Sequence, residues 1–169
     1  MSVRVGLIQT RTPASHAAAL AHVAPLVREA AAQGATFIAT PEGTNILQKD
    51  KAALAPVLTL LEDDPVVQGL QALARELSVT ILVGSALVKR PDGKAANRAT
   101  LITPQGEIAA VYDKLHMFDV DLPTGETARE SETYEPGEQA VAALAGELKL
   151  GLTICYDVRF PALYRALAL

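Results

Sequence analysis

Residues 3–40 constrain the fold more than any other stretch of the chain. Val3-Arg-Val-Gly-Leu-Ile-Gln9 is a short, mostly apolar run of strand length. Ser15 then stands where a helix N-cap belongs, and Leu20, Val23, Leu26, Val27 and Ala30 recur at helical spacing through about Gln33. Gly34 suits the C′ position that ends a helix, and Thr36-Phe-Ile-Ala-Thr40 reads as a second strand. Two strands joined by a helix rather than a tight turn pair in parallel. The chain therefore opens on a βαβ unit, which commits it to an α/β sheet with helices packed against it.

The pattern then changes. Asp63-Asp64-Pro65 is a helix start, with carboxylates at the positive end of the dipole and Pro at the first position. The spacing of Val67, Leu70, Leu73, Ala74 and Leu77 predicts a helix to about Leu77. Val79–Val88 reads as a strand, and the turns Pro91-Asp-Gly93 and Pro104-Gln-Gly106 punctuate strands at 97–103 and 107–112. Residues 79–112 thus form an antiparallel meander. Across 113–138, Asp, Glu, Thr, Pro and Gly replace the periodic apolar residues, which predicts a long loop. Strands near 139–145 and 148–154 follow, and a helix begins at Phe160.

Half of the 169 residues are hydrophobic and 20% are charged, the composition of a folded domain. The net charge of −4 offers no basic footprint for nucleic acid. No apolar run approaches the roughly 20 residues of a membrane span, and Met1–Thr10 lacks the longer apolar stretch of a signal peptide. A single domain over residues 1–169 and a cytoplasmic location are expected. The single cysteine rules out an intramolecular disulfide and a multi-cysteine metal cage.

Three polar residues stand where strands end. Cys155 follows Lys149-Leu-Gly-Leu-Thr-Ile154 and precedes a helix, at the carboxyl edge where α/β sheets place their sites. The opening helix would favour a thiolate there. Glu42 lies in Thr40-Pro-Glu-Gly-Thr-Asn45, and Lys114 in Tyr112-Asp-Lys-Leu-His-Met-Phe-Asp119, each just past another strand. Each has a plainer reading alone: a small buried hydrophobe for Cys155, a turn acid for Glu42, a solvated cation for Lys114. Their common placement is the stronger signal, because one sheet edge can gather all three. His16 and His22 fall on different faces of the first helix, and Asp119-Val-Asp121 lacks further ligands at calcium-loop spacing. No phosphate-cradling or Gly-x-Ser-x-Gly pattern occurs, and neither cofactor nor metal is expected.

Pro41-Glu42, the block Tyr112–Asp119, and Gly151-Leu-Thr-Ile-Cys155-Tyr-Asp-Val-Arg-Phe-Pro161 resemble the three signature blocks of the nitrilase superfamily of carbon–nitrogen hydrolases, in the same order. The resemblance runs from Val3 onward and implies a four-layer α-β-β-α sandwich. It implies Cys155 as nucleophile, Glu42 as general base and Lys114 as the cation that stabilises the oxyanion. A second family glutamate falls on Glu130, implied to position the substrate amide or the lysine. His116–Leu122, Glu130-Ser131 and Tyr134-x-Pro-Gly137 are most similar to the ω-amidase and deaminated-glutathione amidase branch. Tyr156 and Asp157 follow the cysteine as in amidases, where true nitrilases typically carry Trp, and Ala162 replaces the family's usual Glu. Asp157 and Arg159 are expected to pair behind the cysteine.

The implied activity is hydrolysis of a small linear amide, releasing ammonia and a carboxylic acid through a thioester on Cys155. An N-carbamoyl (ureido) acid hydrolase and a catalytically silent binding or assembly protein are the alternatives on this scaffold. Family members continue through a second half of the sandwich, so the chain is expected to be the N-terminal part of such a domain. Its expected partners are a small-molecule amide and either further copies of itself or a C-terminal portion, with no nucleic acid and no membrane.

Overall fold

The computed structural model describes residues 3–48 and 50–169. Strand β1 (Val5–Leu7), helix α1 (His16–Ala32) and strand β2 (Phe37–Ala39) make the βαβ unit, with Val5 opposite Phe37 in a parallel pair. Ser15 Oγ accepts from the Ala18 amide, and Gly34 takes φ +87° just past the helix. That left-handed conformation costs a residue with a Cβ about 1–2 kcal/mol.

A short helix α2 (Lys51–Leu54) precedes α3 (Pro65–Leu77), which Asp64 caps by accepting the Val66 and Val67 amides at 2.9 Å each. Strands β3 (Thr80–Lys89), β4 (Ala95–Ile102) and β5 (Ile108–Asp113) form the antiparallel meander. The sheet has the order β1-β2-β3-β4-β5, with β2 and β3 parallel. Direction alternates from β3 to β5, so β5 runs the same way as β2. Their C-terminal ends therefore share one edge of the sheet, together with the start of β4.

Helices α1 and α3 cover one face through Val23, Val27, Val67 and Leu70 against Ile38, Ile81 and Val83. Each such side chain, fully buried, contributes about 1.5–3 kcal/mol. On the opposite face Ala99 and Tyr112 pack against Leu152 and Ile154, with Val141 and Leu150 alongside. Leu150 belongs to a hairpin of β8 (Ala142–Ala145) and β9 (Leu148–Gly151), and helix α4 (Pro161–Ala168) lies beyond it. Leu167 of α4 seats over Gly151, where a Cβ would stand only 3.0 Å from it. The cross-section reads helix, sheet, hairpin, helix, which is the expected order of four layers.

The long loop expected over 113–138 is more ordered than its composition suggests. It contains a hairpin of β6 (Asp119–Asp121) and β7 (Thr127–Arg129), followed by a 3-10 turn over Glu130–Glu132. Asp119 Oδ1 accepts the Ser131 amide, and Arg129 bonds the Val120 carbonyl, so side chains supply order that apolar burial does not. The strand expected over 148–154 stops at Gly151, because the Ile154 amide turns to the Asp157 carboxylate instead of a ladder partner. Asp157 does not pair with Arg159, which is exposed. It accepts from Tyr112, His116 and Ile154.

Candidate active site

The Glu42 loop is held by polar side chains that the fold buries. Thr44 Oγ1 donates to the Pro41 carbonyl at 2.6 Å, and the Gly43 amide donates to Ser85 Oγ at 2.8 Å. Asn45 acts as a strut: its Nδ2 reaches Asp64 Oδ2 at 2.7 Å and the Leu87 carbonyl at 2.9 Å, while its Oδ1 accepts the Leu87 amide. Beneath the loop, β3 shifts register between Val83 and Ala86. A Cβ on Gly84 would lie 2.1 Å from the Thr40 carbonyl oxygen, so only glycine lets the loop sit this close. These contacts fix the backbone, while the Glu42 side chain stays 39% exposed at the mouth of a cavity.

Lys114 follows β5 directly and is almost wholly buried, with its amide bonded to the Asn97 carbonyl at 2.9 Å. Its Nζ donates to both oxygens of Glu130, at 2.9 and 2.7 Å, and lies 3.6 Å from Glu42 Oε1. Glu130 also accepts the Phe118 amide at 2.6 Å. Burial alone would lower the Lys114 ammonium, but the hydrogen bond to Glu130 and the charges of Glu130 and Glu42 outweigh it, and the net direction is upward. Lys114 is a fixed cation at any ordinary pH.

Cys155 opens a 3-10 turn over Cys155–Arg159 with φ +48°, a conformation uncommon outside glycine. Asp157 sustains it. Fully buried, it accepts the Tyr112 hydroxyl at 2.6 Å, His116 Nδ1 at 2.7 Å, the His116 amide at 3.1 Å and the Ile154 amide at 2.9 Å. The lysine segment and the cysteine turn are thereby tied to one carboxylate. His116 stacks on Phe160 at 3.5 Å, and Tyr156 meets Phe118 edge-on at 5.1 Å. The thiolate expected at this turn is not favoured. Although Cys155 is exposed as a residue, partial removal of its thiol from water, then the charge of Glu42, push it above its ordinary 9.0, and Lys114 only partly offsets them.

Glu42, Lys114, Glu130 and Cys155 all line one cavity of about 620 Å³, with Phe118 and Tyr134 among its walls. All four residues singled out in the sequence are therefore brought together. Two further residues belong to the site without having been assigned to it from the sequence, although Tyr134 stood in the Tyr134-x-Pro-Gly137 block. Asn97, on β4, donates its Nδ2 to Glu42 Oε1 at 2.7 Å, and Glu130 Oε1 lies 3.4 Å from the same nitrogen. Its signal was an asparagine set among alanines in a strand, where a polar amide taken from water must find a partner. Tyr134 has its phenol pushed up to about 12 by burial and the charges of Glu130 and Glu42, so it stays a neutral donor. Among the described residues no three His, Cys, Asp or Glu side chains gather as a metal ion needs.

A fold of this topology, with Glu, Lys and Cys on a shared cavity, defines a class that comparison with known proteins makes explicit. The carbon-nitrogen hydrolase family model matches residues 4–169, and the chain belongs to that family. It is 39% identical over 147 residues to the deaminated glutathione amidase of Synechocystis, covering 85% of this chain and 53% of that protein. It is 32% identical over 162 residues to the omega-amidase NIT2 of Homo sapiens, covering 96% of this chain and 58% of the relative. The Saccharomyces cerevisiae Nit3 structure, a member of the nitrilase superfamily, superposes with a TM-score of 0.83 at 25% identity, covering 98% of this chain and 60% of that one. The chain spans about half the length of the curated relatives it matches.

Proposed function

We propose that the chain carries the catalytic residues of a cysteine-dependent amidase that hydrolyses small linear amides. The observation that carries this reading is the convergence of Glu42, Lys114 and Cys155, backed by Glu130, on one cavity. The names of the amidase relatives support an amide over a ureido substrate. A thiol held above its ordinary value stays protonated at rest, so its proton must leave during attack, and Glu42 is the base placed to take it. Cys155 Sγ adds to the amide carbonyl carbon, and the oxyanion that forms faces the Lys114 ammonium. Such a donor commonly supplies about 3–4 kcal/mol. Glu42 returns the proton to the amide nitrogen, the C–N bond breaks, and ammonia leaves a thioester on Cys155. Water then adds with Glu42 again as base, the C–S bond breaks, and the carboxylic acid departs from a restored thiol. Glu130 keeps Lys114 oriented through both steps. The test is incubation with a panel of linear amides and detection of ammonia. Turnover is expected for the parent and none for Cys155→Ala or Glu42→Gln, and undiminished ammonia release by Cys155→Ala refutes the assignment.

A further inference from the structure

Asn97 is costly as a structural residue. It is 3% exposed near the start of β4, between Ala96 and Arg98, and its Oδ1 is buried without a hydrogen-bond partner among the described residues. A leucine or valine would satisfy the strand better, because an unpaired buried acceptor opposes folding. The other end of the amide explains the choice. One nitrogen faces two carboxylates, at 2.7 Å from Glu42 Oε1 and 3.4 Å from Glu130 Oε1. Only an N–H can face two acceptors, so the amide orientation follows from chemistry. The backbone of the same residue also accepts the Lys114 amide, and its pairing partner Leu87 is bonded to Asn45, the strut of the Glu42 loop.

We infer that Asn97 is a positioning residue that holds Glu42 Oε1 and so leaves the other oxygen of Glu42 to serve the Cys155 proton. The inference rests on the amidase reading for the role of Glu42, but its geometry does not. Asn97 works as a neutral donor beside a fixed cation. It disperses charge from Glu42 without competing for the proton, which a second lysine at this distance would do. A carboxylate free to rotate would instead turn to Lys114, whose Nζ is only 3.6 Å away.

The chain holds a single cysteine, so iodoacetamide labelling followed by intact mass reports Cys155 alone. Labelling tracks the thiolate. Asn97→Leu, which keeps the branched shape, and the smaller Asn97→Val both remove the N–H without adding a charge, and if one fails to fold the other carries the test. With the donor gone, more of the negative charge of Glu42 falls on the thiol, and the labelling midpoint should rise by about half a unit, roughly threefold slower labelling well below it. In a Glu42→Gln background the Asn97→Leu change should have no further effect, because the charge it manages is absent. Amide turnover of the Asn97 variants should fall in kcat with KM little changed. Additive shifts, or an Asn97→Leu midpoint equal to the parent's, overturn the inference even where amide turnover is intact. A coupled shift in a chain that hydrolyses no amide upholds Asn97 and refutes the amidase reading.

Discussion

Cys155 combines a left-handed backbone with a thiol that its neighbours keep protonated. Strain of this kind costs about 1–3 kcal/mol and persists only where surrounding contacts impose it. Here the fully buried Asp157, with its four hydrogen bonds, does so. The sign of the thiol's pH response follows from its neighbours. Burial and Glu42 disfavour the thiolate, so labelling of Cys155 should climb with pH and reach its midpoint above 9.0. Lys114→Met removes a charge that lowers the thiol, and should move that midpoint higher still. A parent midpoint at or below 9.0 contradicts the electrostatics described. Lys114→Arg tests shape rather than charge. A planar guanidinium cannot occupy the pocket of a compact ammonium held between Glu130 and Glu42, and amide turnover should drop about 10²-fold.

Elements with strong local signals were legible in the sequence. Helices α1 and α3 have apolar residues at helical spacing and caps at Ser15 and Asp64, and both begin where those residues place them. The meander was marked by its turns. The hairpin of β6 and β7 was not, because three-residue strands such as Asp119-Val-Asp121 bury almost nothing and are held by polar contacts that composition cannot reveal. Likewise, the early end of β9 depends on Asp157 competing for the Ile154 amide, a contact between residues whose pairing only the fold decides. The four candidate residues were readable because they lie within motifs, whereas Asn97 acts from within β4 with no motif around its amide. The register shift in β3 gives a test at this scale. Gly84→Ala would thrust a methyl group within 2.1 Å of the Thr40 carbonyl oxygen. Overpacking of this kind typically costs about 1–3 kcal/mol, and displacement of the Glu42 loop should reduce turnover by more than the loss of stability explains. Thermal unfolding and amide kinetics on the same variant separate the two effects.

On the scale of the whole chain, β1 ends the five-stranded sheet, with Val5 47% and Leu7 78% exposed. Leu144 on β8 and Val158 within the cysteine turn are exposed as well. An open edge strand with apolar side chains is a template for further pairing, so the chain should self-associate as its concentration rises. Leu7→Lys should suppress that association, as sedimentation of parent and variant would show, and a monomeric parent at every concentration contradicts it. No described helix is long and apolar enough to cross a membrane. The central claim is that one cysteine accepts an acyl group from an amide. Its most direct measurement is intact mass after acid quenching of the chain mixed with a linear amide, with the release of ammonia followed in parallel. The account predicts an adduct on Cys155 equal to the mass of the amide less ammonia, absent from Cys155→Ala. Ammonia release from the parent with no adduct, continuing undiminished in Cys155→Ala, would contradict it.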